Sequence, residues 1–126
     1  MSARDSQTFA IIGAAMSVHS ELGPGFHEVV YHQALTLEFD TRGIPARSEV
    51  RLPVYFNGRR LGASYRVDFL CYEAIVIEIK ALGVVGGPEE AQLLNYLKAT
   101  GCSRGLLINF GKRRLEYRRL VNGWNP

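Results

Sequence analysis

The sequence predicts a layered fold of helices and strands, of the α/β or α+β class, in the element order ααβββαββ. Two stretches with apolar residues at helical spacing open the chain, and a third helix begins at a proline. Five stretches with extended, apolar-rich patterns account for the strands. With 126 residues and 47% hydrophobic residues, the chain suits one domain over residues 1–126 and is not disordered.

Glycines mark the ends of the two helices that open the chain. The first helix is predicted over residues 6–22 with Ser6 as its N-cap, and Gly23-Pro24-Gly25 ends it. The second is predicted over residues 26–41 and stops near Gly43. His19 is expected on the surface of the first helix.

The strands follow, with one helix between the third and the fourth. Residues 48–56 and 64–72 alternate like strands and are joined through Asn57-Gly58, a strong reverse-turn pattern. Residues 74–81 form a third strand, and Pro88 suits the first turn of a helix that ends near residue 100. Residues 106–110 form a wholly apolar, buried strand, residues 113–121 a last strand, and residues 123–126 a tail.

The composition favours a cytoplasmic protein that binds nucleic acid. No apolar run approaches the roughly 20 residues that a membrane-spanning helix needs, and two cysteines, Cys71 and Cys102, are too few for a secreted disulfide framework. The first helix is not a signal peptide, because its apolar pattern continues past polar residues. Twelve of the fifteen basic residues are arginines, whose planar side chains suit phosphate.

The C-terminal strand carries a basic cluster that fits two interpretations. It is either an edge that contacts phosphates or a solvated edge strand protected from aggregation by its charges. The cluster surrounds Tyr117 and consists of Lys112, Arg113, Arg114, Arg118 and Arg119.

Charged side chains share one face of the predicted second and third strands. If Cys71 pairs with Ile75 across a short turn, Asp68 lies opposite Glu78, and Lys80 projects on the same side as Glu78. Strict alternation places Val67 and Phe69 together on the other face of the second strand. A divalent cation between the two carboxylates would relieve their repulsion. The alternative is a simple salt bridge from Lys80 to Asp68 or Glu78 on a solvated face.

These residues resemble a known superfamily. Asp68 followed by Glu78-Ile79-Lys80 resembles the PD-(D/E)xK nuclease signature, with Val67 in place of the proline. The segment Gly25-Phe26-His27-Glu28-Val29-Val30-Tyr31 is similar to the GxxExxY motif of a small prokaryotic family of that superfamily. Gln92-Leu93-Leu94-Asn95-Tyr96 resembles the QxxxY motif of its RecB-type branch. The resemblance implies a restriction-endonuclease-like core with a mixed sheet flanked by helices, and a Mg²⁺ or Mn²⁺ site.

The resemblance also implies a role for each matching residue. Asp68 and Glu78 would be metal ligands, and Lys80 would position the attacking water. Glu28 would complete the acidic cluster as a further metal ligand or hold a metal-bound water. Gln92 is expected to support the site. Substrate contacts are expected from Tyr31, Tyr96 and Arg66.

Spacing alone leaves other interpretations of these pairs open. Glu28 and Tyr31 can be a surface pair on one helix face, and Gln92 and Tyr96 a polar pair on an exposed helix. Glu28 and His32 are four residues apart and could share a metal.

The functional hypothesis is therefore a Mg²⁺-dependent or Mn²⁺-dependent nuclease that acts on DNA, with RNA as the less favoured substrate. A non-catalytic nucleic-acid-binding or interaction module on a nuclease fold is the main alternative, and a hydrolase of small phosphate esters is a third. A homodimer or a partner subunit is compatible with so small a chain. The sequence does not distinguish endonuclease from exonuclease activity.

Overall fold

The computed structural model describes residues 5–122, and it confirms the predicted order of elements. The helices are α1 (Ser6–Leu22), α2 (Glu28–Arg42) and α3 (Gly87–Thr100). The strands are β1 (Ala46–Phe56), β2 (Arg59–Cys71), β3 (Ile75–Lys80), β4 (Arg104–Asn109) and β5 (Glu116–Val121). The predicted tail lies outside the described residues. Within those residues, no helix is both long enough and apolar enough to span a bilayer.

The five strands form one mixed sheet in the order β1-β2-β3-β4-β5. β3 and β4 are parallel, and the other neighbouring pairs are antiparallel. A parallel pair needs a crossover connection, and α3 supplies it between β3 and β4. Helices cover both faces of these two central strands, which is why their sequences are almost continuously apolar. The chain therefore has the predicted α/β fold.

The sheet separates two hydrophobic clusters. The larger cluster lies under α1 and α2, and its bulkiest fully buried side chains are Tyr31, Phe39, Phe69 and Phe110. The smaller cluster lies under α3, where Leu93 and Leu97 pack against the sheet. A residue's cluster thus shows which face of the sheet its side chain occupies.

The N-cap of α1 is Asp5 and not the predicted Ser6. The Asp5 carboxylate accepts a hydrogen bond from the Thr8 backbone N–H (3.4 Å) and also pairs with Arg104 and Arg119. His19 is buried rather than exposed, because its Nε2 lies 2.8 Å from the Lys112 carbonyl oxygen. Both contacts tie α1 to the strands that follow α3.

The last strand begins at Glu116, three residues later than predicted, because buried Asn109 turns the chain after β4. Asn109 Oδ1 accepts hydrogen bonds from the backbone N–H groups of Leu82 (2.9 Å) and Gly111 (3.0 Å). Its Nδ2 donates to the Leu82 carbonyl (3.0 Å). Residues 111–114 therefore form a bend, which includes Arg113 and Arg114.

Candidate active site

Asp68 interrupts the regular geometry of β2. The predicted pairing of Cys71 with Ile75 is confirmed, but the β2–β3 ladder extends only to the pair Phe69–Ile77. Beyond it, the Asp68 carboxylate accepts the Ile79 backbone N–H (2.7 Å), where a continued ladder would offer a carbonyl. The carboxylate therefore points between the two strands, toward β3.

The same interruption changes which face each neighbour of Asp68 occupies. Val67 belongs to the cluster under α3, whereas Phe69 belongs to the cluster under α1 and α2. The prediction that these two side chains share a face is therefore wrong. The irregularity extends across to β1, where Glu49 stands opposite Asp68 with a positive φ of 53°.

Glu78 is a largely buried acid without a full set of partners. No described hydrogen-bond donor reaches its buried Oε1 atom. Burial raises the pKa of Glu78 to about 8, helped by the negative charge of Asp68 and opposed in part by Lys80. The repulsion between Asp68 and Glu78 that the sequence predicted is thus present in the folded chain.

Lys80 ends β3 on the same side as Glu78. Its positive charge opposes the upward pKa shifts of both Glu28 and Glu78, so it acts on both carboxylates. Among the described residues, no carboxylate lies within 4.0 Å of its ammonium group. Lys80 therefore does not form the simple salt bridge to Asp68 or Glu78 that was the alternative prediction.

Glu28 is the first residue of α2, two residues later than the predicted start of this helix. The preceding turn contains Gly25, whose φ of 109° is rarely adopted by residues with a side chain. Burial raises the pKa of the Glu28 carboxyl, as does the charge of Asp68, while Lys80 and His32 oppose the shift. The turn thus places the Glu28 carboxylate at the acidic pair.

Tyr31 holds that turn in place. Its hydroxyl donates to the Gly23 carbonyl (2.6 Å) and accepts from the Phe26 N–H (3.2 Å). The ring is fully buried and stacks on Phe110 with centroids 4.8 Å apart. Tyr31 consequently cannot contact substrate, and the substrate contact expected from the sequence is wrong. Tyr31 is not half of a surface pair either. Tyr31 belongs to the motif because it holds the turn that positions Glu28.

His32 is a residue of the site that the motifs do not name. Its Nε2 lies 3.3 Å from the Asp68 carbonyl oxygen and 3.2 Å from Ser48 Oγ, and its ring stacks on Phe69 at 4.3 Å. Because these contacts occupy Nε2, His32 orients the backbone at Asp68. This geometry argues against a metal shared by Glu28 and His32.

On the other face of the sheet, α3 brings Tyr96 close to Glu78. Burial raises the pKa of Tyr96, together with the charges of Glu78 and Tyr65, while a hydrogen bond with Gln92 opposes the shift. The rings of Tyr65 and Tyr96 have centroids 4.0 Å apart. Gln92 and Tyr96 are therefore connected to the acidic pair and are more than an isolated surface pair.

A cleft of about 270 Å³ opens beside Asp68. It is lined by Glu28, Val29, His32, Gln33, Glu49 and Asp68. Arg66 is exposed, and its guanidinium lies 2.5 Å from the carboxylate of Glu49, one of the lining residues. Within residues 5–122, no three histidine, cysteine or acidic side chains are placed to enclose one ion together. The Asp68–Glu78 pair nonetheless fits a divalent cation, because it leaves a buried carboxylate oxygen without a partner.

Comparison with known families agrees with this geometry. A family model described as PD-(D/E)XK nuclease superfamily matches residues 5–120. The chain belongs to this nuclease superfamily. Its members typically use a divalent metal.

Solved structures agree on the fold. The crystal structure of SSO0001 matches with a TM-score of 0.57 and 20% sequence identity over 76% of this chain. The chain spans only about half, 51%, of the length of that protein, and the likeness concerns the fold alone. No curated protein matches the chain in sequence.

Proposed function

We propose that this PD-(D/E)XK protein is a Mg²⁺-dependent or Mn²⁺-dependent nuclease that hydrolyses DNA. The observation that carries the proposal is the pair of crowded carboxylates. Glu78 keeps a buried oxygen without a hydrogen-bond partner beside the negatively charged Asp68. A pair without a function would cost folding free energy, since buried charges are normally paired or bind a metal.

Asp68 and Glu78 would hold the metal, with Glu28 reaching it directly or through a water. When bound, a divalent ion polarises the phosphate and lowers the pKa of a water molecule. Asp68 is oriented for this role by the Ile79 N–H, which donates to its carboxylate, and by His32, which contacts its backbone carbonyl.

Lys80 supplies the positive charge of the site. Because no described acid pairs with it, its ammonium group can donate hydrogen bonds to the attacking water and to a phosphate oxygen. Preorganised charge of this kind lowers the barrier by stabilising the negative charge that develops on the phosphate oxygens. Tyr96, linked to Gln92 and close to Glu78, would contact the sugar-phosphate backbone.

We also propose that the chain belongs to the GxxExxY group of the superfamily. Gly25, Glu28 and Tyr31 match its motif, and each has a distinct physical part in the structure. Gly25 makes the turn, Tyr31 ties the turn to the core, and Glu28 presents its carboxylate to Asp68.

Cleavage of single-stranded and double-stranded DNA, and of RNA, in Mg²⁺ or Mn²⁺ tests the proposed activity. Lys80→Ala should lower the cleavage rate by about 10²–10³-fold, the usual loss when one preorganised charge-stabilising group is removed. Lys98→Ala removes an exposed lysine from α3 and serves as the matched control, with an unchanged rate.

Activity that survives Lys80→Ala would assign the cleavage to a contaminant and overturn the proposal. Salt-sensitive DNA binding by wild-type protein, with neither cleavage nor metal uptake in calorimetry, would favour the alternative of a non-catalytic binding module.

A further inference from the structure

The β1–β2 hairpin extends beyond the rest of the sheet. β3 pairs with β2 only over Phe69–Cys71, whereas β1 and β2 continue to pair as far as Phe56 and Arg59. We call residues 50–67 of this hairpin the arm. The register shifts between Pro53 and Tyr55, an irregularity of the kind that bends and twists a two-stranded ribbon.

The arm carries the positive charge of the whole chain. Its eighteen residues contain four arginines and no acidic residue. The remainder of the chain has eleven basic and twelve acidic residues, so it is close to neutral. Composition alone indicated a basic protein; the structure shows that this excess is concentrated on one projecting element.

Three of the four arginines of the arm and the aromatic rings near its tip face solvent. In the described part of the chain, no carboxylate lies within ion-pair distance of Arg51, Arg59 or Arg60. Tyr55 and Phe56 near the tip are 48% and 65% exposed. These features are typical of a surface that contacts a polyanion.

The base of the arm is fixed to the candidate active site. Leu52 and Val67 are buried in the cluster under α3, and Tyr65 packs on Tyr96. Arg66 pairs with Glu49, which lines the cleft beside Asp68. A ligand bound along the arm is therefore held in a defined direction relative to the acidic pair.

We infer that the arm binds duplex nucleic acid and delivers it to the cleft, an inference that rests on the proposed nuclease function. A two-stranded β-ribbon fits the major groove of B-DNA. Arg60 is eight residues from Asp68, or about 26 Å along an extended strand. That length corresponds to about eight base pairs at roughly 3.4 Å each, so the tip contacts a duplex well away from the reacting phosphate.

The test compares two double variants that remove equal charge. Arg59→Ala/Arg60→Ala changes the tip of the arm, and Arg113→Ala/Arg114→Ala changes the exposed bend after β4. Affinity for a 20-base-pair duplex is measured in EDTA by fluorescence anisotropy over a range of salt concentrations. The arm variant should bind about tenfold more weakly and lose about two units of the slope of log K against log salt, while the control changes less.

Duplex length gives a second measurement. A six-base-pair duplex is too short to reach from the cleft to the tip and cannot contact both at once, so the arm variant should lose less affinity for it than for the longer duplex. An equal or larger loss in the Arg113/Arg114 variant, an equal loss for the short duplex, or a larger loss for single-stranded DNA would overturn the inference. Both pairs are exposed, and an unchanged thermal unfolding temperature verifies folding.

Binding in EDTA does not depend on catalysis. Failure of the proposed nuclease function would be seen as absence of metal-dependent cleavage by the wild-type protein, whatever the outcome for the arm. Failure of the arm inference would leave cleavage intact and abolish only the difference between the two double variants.

Discussion

Glu78 couples the candidate site to pH through a single proton. Because burial and Asp68 raise its pKa to about 8, the folded chain keeps this proton over a pH range in which the unfolded chain has released it. Between about pH 5 and 8 the folded state therefore binds more protons, and its stability falls as pH rises. We expect a slope of up to about 1.4 kcal/mol per pH unit from this group in metal-free buffer.

Glu78→Gln should remove this slope and leave the protein more stable than wild type at pH 8. Urea unfolding across the pH range measures the effect. Glu21→Gln, which removes an exposed carboxylate from α1, should keep the wild-type slope. The same slope in Glu78→Gln would show that Glu78 is not the group responsible.

The sequence could identify these residues but not the directions in which their side chains point. The spacing of Asp68, Glu78 and Lys80 predicted the crowding, because both strands are regular between the turn and the pair Phe69–Ile77. The rotation of Asp68 toward Ile79 depends on Glu49 and His32, which are distant in sequence. Tyr31 was assigned to substrate for a similar reason, since a motif names a residue and does not show whether it faces solvent or core.

At the scale of the elements, Asp5 fastens the start of α1 to the sheet. Burial raises the pKa of its carboxyl, but the hydrogen bond from the Thr8 backbone N–H and the charge of Arg119 outweigh burial and lower the pKa overall. Asp5 therefore stabilises the fold above its ordinary pKa of 3.8, and this contribution is lost as pH falls through the lowered value.

Two substitutions of Asp5 distinguish the contribution of the helix cap to stability from that of the ion pairs. Asp5→Ala should lose both, including about 1 kcal/mol for the cap, whereas Asp5→Asn keeps a capping oxygen and loses only the ion pairs. Thermal unfolding at pH 7 should rank wild type above Asp5→Asn and Asp5→Asn above Asp5→Ala. The deficit of Asp5→Asn should disappear in acid, and a deficit independent of pH would contradict the assignment.

The turn before α2 depends on one hydroxyl. Tyr31→Phe removes the group that joins the Gly23 carbonyl to the Phe26 N–H, and it should lower the free energy of unfolding by about 1–2 kcal/mol. Cleavage should also slow, because Glu28 follows this turn directly. Tyr117→Phe on β5, exposed and outside the arm, is the control and should change neither unfolding nor cleavage rate. Normal activity in a destabilised Tyr31→Phe would restrict Tyr31 to a structural role.

Several element boundaries followed from local patterns, but β2 begins at Arg59, five residues before its predicted start at residue 64. The hairpin turn, the buried central strands and the proline at the start of α3 are determined by nearby residues, and the structure confirms them. The predicted start of β5 was wrong because Asn109 accepts hydrogen bonds from the backbone N–H groups of Leu82 and Gly111. Leu82 is distant from Asn109 in sequence, so local patterns do not predict this contact. The cap of α1 was wrong by one residue because Asp5 also has partners on β4 and β5.

At the scale of the whole molecule, a metal bound by Asp68 and Glu78 should stabilise the fold, since it binds the folded chain in preference to the unfolded one. With free Mn²⁺ at about 100 times its dissociation constant, the expected gain is about 2.7 kcal/mol. Thermal unfolding with and without Mn²⁺ at pH 8 measures it. Glu78→Gln should lose most of this gain and Glu21→Gln should keep it; an equal gain in all three chains would place the ion elsewhere.

The distribution of charge also belongs to this scale. The arginine content favours nucleic acid as a partner, and one of the two interpretations of the basic C-terminal strand is that it contacts phosphates. Many of those side chains have acidic neighbours in the structure, including Asp5 beside Arg119 and Glu116 beside Lys112. The four arginines of the arm, with no acidic residue among them, can be read from the sequence. That they lie on an exposed arm depends on β3, which pairs with only a short part of β2 and leaves the rest of the hairpin without a third strand.

The hydrogen bond from the Ile79 N–H to Asp68 has a practical consequence for anyone seeking an inactive chain to trap with its substrate. Alanine at position 68 would leave that amide without an acceptor between the two strands, so the local fold would be disturbed as well as the proposed metal ligand removed. Asparagine retains an oxygen for the amide and removes the charge. It is the better choice for crystallising a stalled complex.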